Sequence, residues 1–286
     1  METAVITTGG LGTRLLTATK VNPKTMLPLY VKSTDNNPNP FLQPLIEIIF
    51  SNLYDNGFRK FCFIVGKKGQ YSIKNHLIPD PDFLKLLKSR NNPIDKRFIK
   101  MLEKSYKKFS NSEISWITQS TPMGFGHALL SAKKFVGNDD FLLHAGDAYF
   151  PSYVFLKPMI NSFKKSVHAS GSLLLQYKKN VEGYGIAQIK RRKYENLVTN
   201  VEEKPKKPKS NLAILPVYLF NPNIFSALKK ISRGYDGELQ VTDAIKFLLD
   251  GDKKFIATKF TDNWFDIGTV HRYHEALSNS YKKSIH

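Results

Sequence analysis

Cysteine is almost absent from this 286-residue chain: Cys62 stands alone. No intramolecular disulfide can form, and nothing points to an oxidising compartment. Long apolar runs are missing too. None approaches the roughly 20 residues that span a bilayer, and the first residues lack the basic and apolar regions of a secretory leader. A soluble cytoplasmic protein with no membrane partner is expected. Acidic side chains are scarce, 24 Asp plus Glu against 43 Lys plus Arg, a formal charge of +19. That excess favours anionic partners, either nucleic acid or small phosphates. No nucleic-acid-binding motif accompanies the basic residues, so a polymer is the weaker expectation. Two familiar phosphate loops are also missing. The glycine cluster near residue 10 is followed by no Gly-Lys-Ser/Thr, and it lacks the full Gly-x-Gly-x-x-Gly pattern.

What is present suits a globular α/β protein. Hydrophobic residues make up 41% of the chain, enough for a sizeable core in one large domain or two lobes. Short runs rich in Val, Ile, Phe and Tyr predict strands at 4–8, 60–65, 114–117, 141–144, 172–177, 185–189, 198–202 and 212–220. A helical period over 43–56 ends near Gly57, and further helices are predicted at 128–135, 242–249 and 272–284. Strand, glycine turn, helix, strand is the alternation of a three-layer α/β/α architecture, whose ligands lie beyond the carboxyl ends of the strands. Residues 82–110 are Lys-rich and helical in pattern, broken by Asn91-Asn92-Pro93. They read as a solvated excursion from the sheet, without the aromatic interleaving of a single-stranded nucleic-acid surface.

Five segments carry chemistry. After the first strand, Gly9, Gly10 and Gly12 let main-chain N–H groups approach an anion, while Arg14 and Lys24 add positive charge. Close packing alone also explains such glycines. Gln119 precedes Gly124, and a carboxamide there can read a donor and an acceptor on a base edge, or simply cap the helix that follows. The strand 141–144 ends in Gly146-Asp147, which places a carboxylate where a hard divalent cation bridging phosphate oxygens can be held; turn formation is the alternative. Glu202 and Lys204 close another strand, the first suited to sugar hydroxyls and the second to a phosphate. The lysines at 206, 207 and 209 read as an exposed loop. Asp266 sits among apolar neighbours in Trp264-Phe265-Asp266-Ile267-Gly268, so it needs a metal, a cation or an N-cap role.

Taken in order, these segments resemble the sugar-nucleotide pyrophosphorylases, specifically the bacterial and archaeal UTP–glucose-1-phosphate uridylyltransferase branch. The resemblance runs through GGLGTR at 9–14, NPKTMLPL at 22–29, GFGHALLSAKKFVG at 124–137, GD at 146–147, GYGIA at 183–187, EEKP at 202–205, SNLAI at 210–214, GELQVTDAI at 237–245 and FDIGT at 265–269. Gly-Phe-Gly-His-Ala and the helical excursion favour the uridylyl branch over the glucose-1-phosphate thymidylyltransferases.

The resemblance implies one Rossmann-like nucleotidyltransferase domain with a central mixed sheet. Residues 1–180 would be the nucleotide core with a helical insertion at 82–110, and 181–270 the sugar-phosphate part. A C-terminal helix at 271–286 would be available for homo-oligomer contacts. It implies Mg²⁺-dependent transfer from UTP to glucose 1-phosphate. Gly9, Gly10 and Gly12 would then shape the triphosphate loop, Arg14 would hold the β- and γ-phosphates, and Lys24 would act near the α-phosphate. Gln119 and Gly124 would read uracil. Asp147 and Asp266 would bind the metal. Gly185, Glu202 and Lys204 would form the sugar-phosphate site. Two readings compete with this one: thymidylyl transfer from dTTP, and a non-catalytic nucleotide- or RNA-binding protein on the same scaffold. The chain departs from the family at Pro216-Val217-Tyr218, where Gly-Arg-Tyr is usual, and at Thr7 and Thr8, where small apolar residues are usual. Proline removes an N–H and fixes φ, which bears on the sugar.

Overall fold

The computed structural model describes residues 1–10, 12–33, 39–67, 69–90, 92–121, 123–192 and 195–285, without the side chains of 93–95. Leu11 of the glycine turn, Pro122 of the Gln119–Gly124 segment and Asn91 of the helical break lie outside them.

The chain opens with β1 (Thr3–Thr7), the hairpin β2 (Pro28–Val31) and β3 (Phe41–Pro44), α1 (Leu45–Asp55) and β4 (Lys60–Gly66). Then come α2 (Gln70–Leu77), α3 (Pro81–Ser89), α4 (Pro93–Ser110), β5 (Glu113–Gln119), α5 (Phe125–Ser131), α6 (Lys133–Val136), β6 (Phe141–Ala145) and β7 (Ala148–Tyr149). The second half contains α7 (Leu156–Lys165), β8 (Ala169–Tyr177), β9 (Ile186–Arg192), β10 (Glu195–Glu202), β11 (Leu212–Phe220) and α8 (Asn223–Lys230). It finishes with α9 (Val241–Asp250), β12 (Lys254–Lys259), β13 (Phe265–Asp266) and α10 (Val270–Ile285).

Among the described residues one nine-stranded mixed sheet runs β5-β4-β1-β6-β11-β8-β12-β10-β9. β5, β4, β1 and β6 are parallel, so the residues that follow all four emerge at one edge. β11 turns the sense of the sheet, pairing antiparallel with both β6 and β8. The three-layer expectation holds. Ala4 and Ile6 belong to a core on one face and Val5 to a core on the other, the period-2 alternation of a strand covered on both sides. The helices α1, α2 and α7 cover the first face, and α5, α8 and α9 cover the second. Cys62 is buried in that second layer, and burial pushes its thiol up to about 12, so it is inert.

Local chemistry sets the element ends. α1 stops at Asn56-Gly57, where Gly57 has φ 98° and its N–H closes on Tyr54 O at 3.0 Å. α3 starts on Asp80, whose carboxylate accepts from Phe83 N at 2.9 Å, with Pro81 in the first turn. The predicted break in the helical excursion separates α3 from α4. Sequence patterns missed the β2–β3 hairpin, the two-residue β7–β13 pairing, β12, and helices α2, α7 and α8. α10 returns to the N-terminal half, its Tyr273 Oη donating to Pro28 O at 2.8 Å and its Ser280 Oγ accepting from Tyr30 N at 3.1 Å.

Phe50 of α1 anchors the first face. It is fully buried, with ring centroids 4.8 Å from Phe61, 6.1 Å from Phe109 and 6.3 Å from Phe63. Phe50→Ala should cost about 3–5 kcal/mol, read as a lower urea midpoint with the slope unchanged.

Candidate functional site

The edge where the parallel strands end is where the predicted residues meet. Gly9 and Gly10 follow β1, Gln119 ends β5, and Asp147 follows β6. Together with Lys24, Thr25, Gly124, Phe125 and Glu238 they line a cleft of about 200 Å³. A second cleft, of about 250 Å³, adjoins it through shared Phe125 and Asp147 and is lined by Gly185, Glu203, Pro216, Tyr218, Thr242, Trp264 and Asp266 among others.

Each glycine of the first turn has its own reason. A Cβ on Gly9 would stand 2.6 Å from Gln119 Oε1, and one on Gly10 would stand 3.3 Å from Lys24 Cε. Gly12 alone of the three has a left-handed backbone, φ 64°, and begins the short 3-10 turn Thr13–Leu15 that carries Arg14. Gln119 is buried, with Nε2 3.1 Å from His127 Nδ1. Gly124, φ 99°, and Gly126 seat the chain against Glu238-Leu239: Leu239 N donates to Met123 O at 3.0 Å, and Gly126 N donates to Leu239 O at 2.8 Å. A Cβ at either glycine would meet that segment within 2.9 Å. The Gly-Phe-Gly run therefore docks the Gly237–Ile245 motif onto the cleft.

Two carboxylates are brought together by the smallest sheet. β7 pairs with β13, placing Asp266 opposite Ala148 and beside Asp147, and Ile267 N donates to Asp147 O at 3.0 Å. Asp147 accepts a short hydrogen bond from Lys24 Nζ, with only 14% and 27% of the lysine and aspartate side chains exposed. Burial would raise Asp147, but the charge and hydrogen bond of Lys24 overcome it and hold the carboxyl below the ordinary range. Asp266 goes the other way. Burial and the charge of Asp147 push it up, although Lys24, the Gly268 amide and Arg14 all favour its ionised form. Gly268 N donates to Asp266 Oδ1 at 2.9 Å, and the Arg14 guanidinium reaches within 2.9 Å of where a Cβ on Gly268 would stand. Behind them His144 is fully buried on β6, its Nδ1 2.7 Å from Ala145 O and its Nε2 accepting from Tyr153 Oη at 2.9 Å. Burial pushes it down to about 4, so the ring is neutral.

The donor set suits a hard divalent cation. Two neighbouring carboxylates, one of them pushed up by burial and by the charge of the other, gain from a shared positive charge, and Thr25 Oγ1 is buried in the same cleft without a hydrogen-bond partner. No third His, Cys, Asp or Glu joins them among the described residues, so remaining ligands would come from phosphate or water.

On the other side of Asp147 one expectation needs correction. Glu202, the last residue of β10, is exposed and lines neither cleft. Glu203 lines the second cleft, 13% exposed, beside Gly185, where a Cβ would stand 2.9 Å from Glu203 Oε2. The cause is strand parity: Val201 faces the core, Glu202 faces out, and Glu203 returns to the inner side. Lys204 has φ 40°, an uncommon conformation for a lysine, and its Nζ lies 3.8 Å from Glu203 Oε1 and 4.6 Å from the Tyr235 ring centroid. It is poised at the rim, outside the lining itself. Pro216 lines the cleft at an irregularity in the β11–β8 pairing between Ile214 and Tyr218, where its missing N–H leaves no gap in the ladder. Tyr218, Thr242 and Trp264 were not singled out from sequence, although Thr242 lies within the GELQVTDAI motif.

A parallel-sheet edge carrying glycine turns, two crowded carboxylates and buried lysine charge defines a phosphate-handling α/β enzyme. The nucleotidyl transferase family pattern matches residues 3–283, and the chain belongs to that family. A low-salt glycan biosynthesis nucleotidyltransferase of Haloferax volcanii is 30% identical over 91% of this chain, which spans only 60% of that relative. A UTP–glucose-1-phosphate uridylyltransferase of Mycoplasma pneumoniae is 32% identical over 96% of this chain and 90% of its own length. A solved UDP-glucose pyrophosphorylase complexed with UDP-glucose superposes with a TM-score of 0.79 at 25% identity, covering 99% of both chains. Among the described residues no helix is long and apolar enough to cross a membrane.

Glu203 gives a test of the site's electrostatics. Burial, then the charges of Asp243 and Glu238, outweigh the Thr242 hydroxyl and Lys204 and raise its carboxyl above the ordinary 4.5. A raised folded-state value contributes stability that is present below pH 4.5 and lost as pH rises through the folded value. Glu203→Gln should therefore be more stable than wild type at pH 8, with the gap closing towards pH 4, in urea midpoints across about pH 4–8. A gap independent of pH would contradict the assignment.

Proposed function

We propose that the protein transfers a uridylyl group from UTP to glucose 1-phosphate, releasing UDP-glucose and pyrophosphate. The observation that carries this reading is the sharing of Asp147 between the two clefts. A nucleotide in the first and a sugar phosphate in the second would meet over the Asp147–Asp266 pair. The uridylyltransferase relative supports the substrates.

Gly9, Gly10 and Gly12 would frame the triphosphate, with Arg14 on the distal phosphates, while Gln119 and Gly124 border the place for the base. Gly185 and Glu203 would hold the sugar, and Lys204 would swing from Tyr235 onto its phosphate. A phosphate oxygen of glucose 1-phosphate attacks the α-phosphorus of UTP; that P–O bond forms as the bond to the β-phosphate bridging oxygen breaks, and pyrophosphate leaves. The nucleophile is already an anion, so no side chain has to remove a proton. The chain's task is alignment and charge neutralisation. Asp147 and Asp266 would hold a divalent cation such as Mg²⁺, which supplies charge stabilisation on the phosphate oxygens. Lys24, bonded to Asp147 in the free protein, would be released to the α-phosphate as nucleotide arrives.

Pyrophosphate release should occur with UTP, glucose 1-phosphate and Mg²⁺, and far more slowly with dTTP. Activity with dTTP alone would move the assignment to thymidylyl transfer, and tight RNA binding without turnover would support a non-catalytic role. Asp147→Asn should lower kcat by about 10²–10³-fold, and Lys204→Ala by a comparable factor. Unchanged turnover in Lys204→Ala would remove that lysine from the reaction.

A further inference from the structure

His127 is the polar side chain of the 124–128 run, and it lines neither cleft. The glycines of that run dock the Glu238-Leu239 segment without it. Its ring instead meets the residue at the place for the base. Nε2 of Gln119 lies 3.1 Å from His127 Nδ1, and among the described residues no other side chain bonds to that carboxamide. An amide NH₂ can only donate, so Nδ1 is the accepting nitrogen and the ring proton is on Nε2.

Both partners are fixed by their surroundings. Gln119 ends β5 opposite Gly66 of β4 and is only 8% exposed. His127 stands in the first turn of α5 between Gly126, whose N–H donates to Leu239 O at 2.8 Å, and Ala128, which is buried in the second core. The imidazole is therefore a stationary acceptor beside a carboxamide with little room.

A carboxamide has two ends of similar size and opposite hydrogen-bonding character, so without a partner it can present either one. His127 breaks that symmetry. With Nε2 held by the ring, the remaining end is Oε1, which stands 2.6 Å from where a Cβ on Gly9 would lie, and both Gly9 and Gln119 line the first cleft. An oxygen there needs a donor opposite it. Uracil and thymine carry an N–H at ring position 3, between their two carbonyls, whereas cytosine has a bare, accepting nitrogen in that place. Turning the carboxamide to suit cytosine would set Oε1 against the accepting Nδ1 and require the ring proton to move from Nε2.

We propose that His127 is a positioning residue for base selection: by accepting from Gln119 Nε2 it holds Gln119 Oε1 toward the base, so that the first cleft takes pyrimidines with an N–H at position 3 and refuses cytosine. The proposal rests on the reading of that cleft as the nucleotide site and adds the rule by which the base is chosen. The edge is common to uracil and thymine, so the rule holds for either nucleotide.

The test is equilibrium dialysis of the full chain with UTP, dTTP and CTP in the presence of Mg²⁺, read as the ratio of the CTP to the UTP dissociation constant. Wild type is expected to bind UTP and dTTP and to hold CTP at least about tenfold more weakly, the scale of one hydrogen bond lost with its partner left unsatisfied. His127→Leu keeps bulk beside Gln119 but offers no acceptor, and should bring the ratio close to one. His127→Asp offers an oxygen that can only accept, and should keep the wild-type ratio even where its charge weakens both nucleotides. A purely structural role would lower both affinities in His127→Leu and leave the ratio unmoved. A further measurement needs no stable leucine variant: with ¹⁵N-labelled histidine, the Nδ1 signal that disappears in His127→Asp should be that of an unprotonated ring nitrogen in the UTP-bound wild type. Equal binding of UTP and CTP by the wild type, binding of neither, an unchanged ratio in His127→Leu, a ratio lost in His127→Asp, or a protonated Nδ1 would each overturn the proposal. UTP held and CTP refused without pyrophosphate release would count against uridylyl transfer while supporting the role of His127.

Discussion

The burial of two carboxylates, Asp147 and Asp266, side by side is the constraint around which the sheet edge is organised. The β7–β13 pairing places them side by side in a partly buried position, where two ionised carboxylates cannot coexist cheaply. Lys24 relieves half of the problem by bonding Asp147, and Arg14 and the Gly268 amide lean on Asp266 without fully compensating its burial. What is left is a deficit of positive charge. A divalent cation, which Asp147 and Asp266 would hold, would supply that charge.

Close packing holds this arrangement in place. Gly146 sits where a Cβ would stand 2.6 Å from Thr7 O, so β1 and the Asp147 turn touch backbone to backbone. Thr8 Oγ1 donates to Ile64 O at 3.0 Å, tying the first turn to β4, so the threonine that stands where the family has a small apolar residue acts as a hydrogen-bonding fastener in the wall of the first cleft. Gly124 and Gly126 bring in the Glu238–Thr242 segment from the second half of the chain, so that the loop leading into α9 serves both clefts.

Much of this was legible because the physics is local. Strands at 141–144 and 212–220 read as largely apolar runs, and a glycine turn, Gly146, sits where the first of them stops. β12, Lys254–Lys259, was lost because lysines at both ends mask a short apolar centre, and β7 and β13 are too short to carry any periodicity. The Glu202 assignment failed by one residue although the signal was available: buried Val201 predicts that Glu203, two positions on, shares its face. The link between Lys24 and Asp147 could not be read at all, since 123 residues separate them. Gly9 and Gly10 read from sequence as sites of anion approach or of close packing, and in the folded chain a Cβ on either would meet Gln119 or Lys24.

The two carboxylates are expected to hold a cation together with the nucleotide. Binding of Mn²⁺–UTP to the protein, followed through the enhancement of water-proton relaxation over that of free Mn²⁺–UTP, measures this without turnover. One ion per chain should bind in the wild type, and Asp147→Asn and Asp266→Asn should each weaken that binding by at least about tenfold, the loss that even outer-shell changes can produce. Equal Mn²⁺–UTP affinity in the wild type and both variants would contradict it.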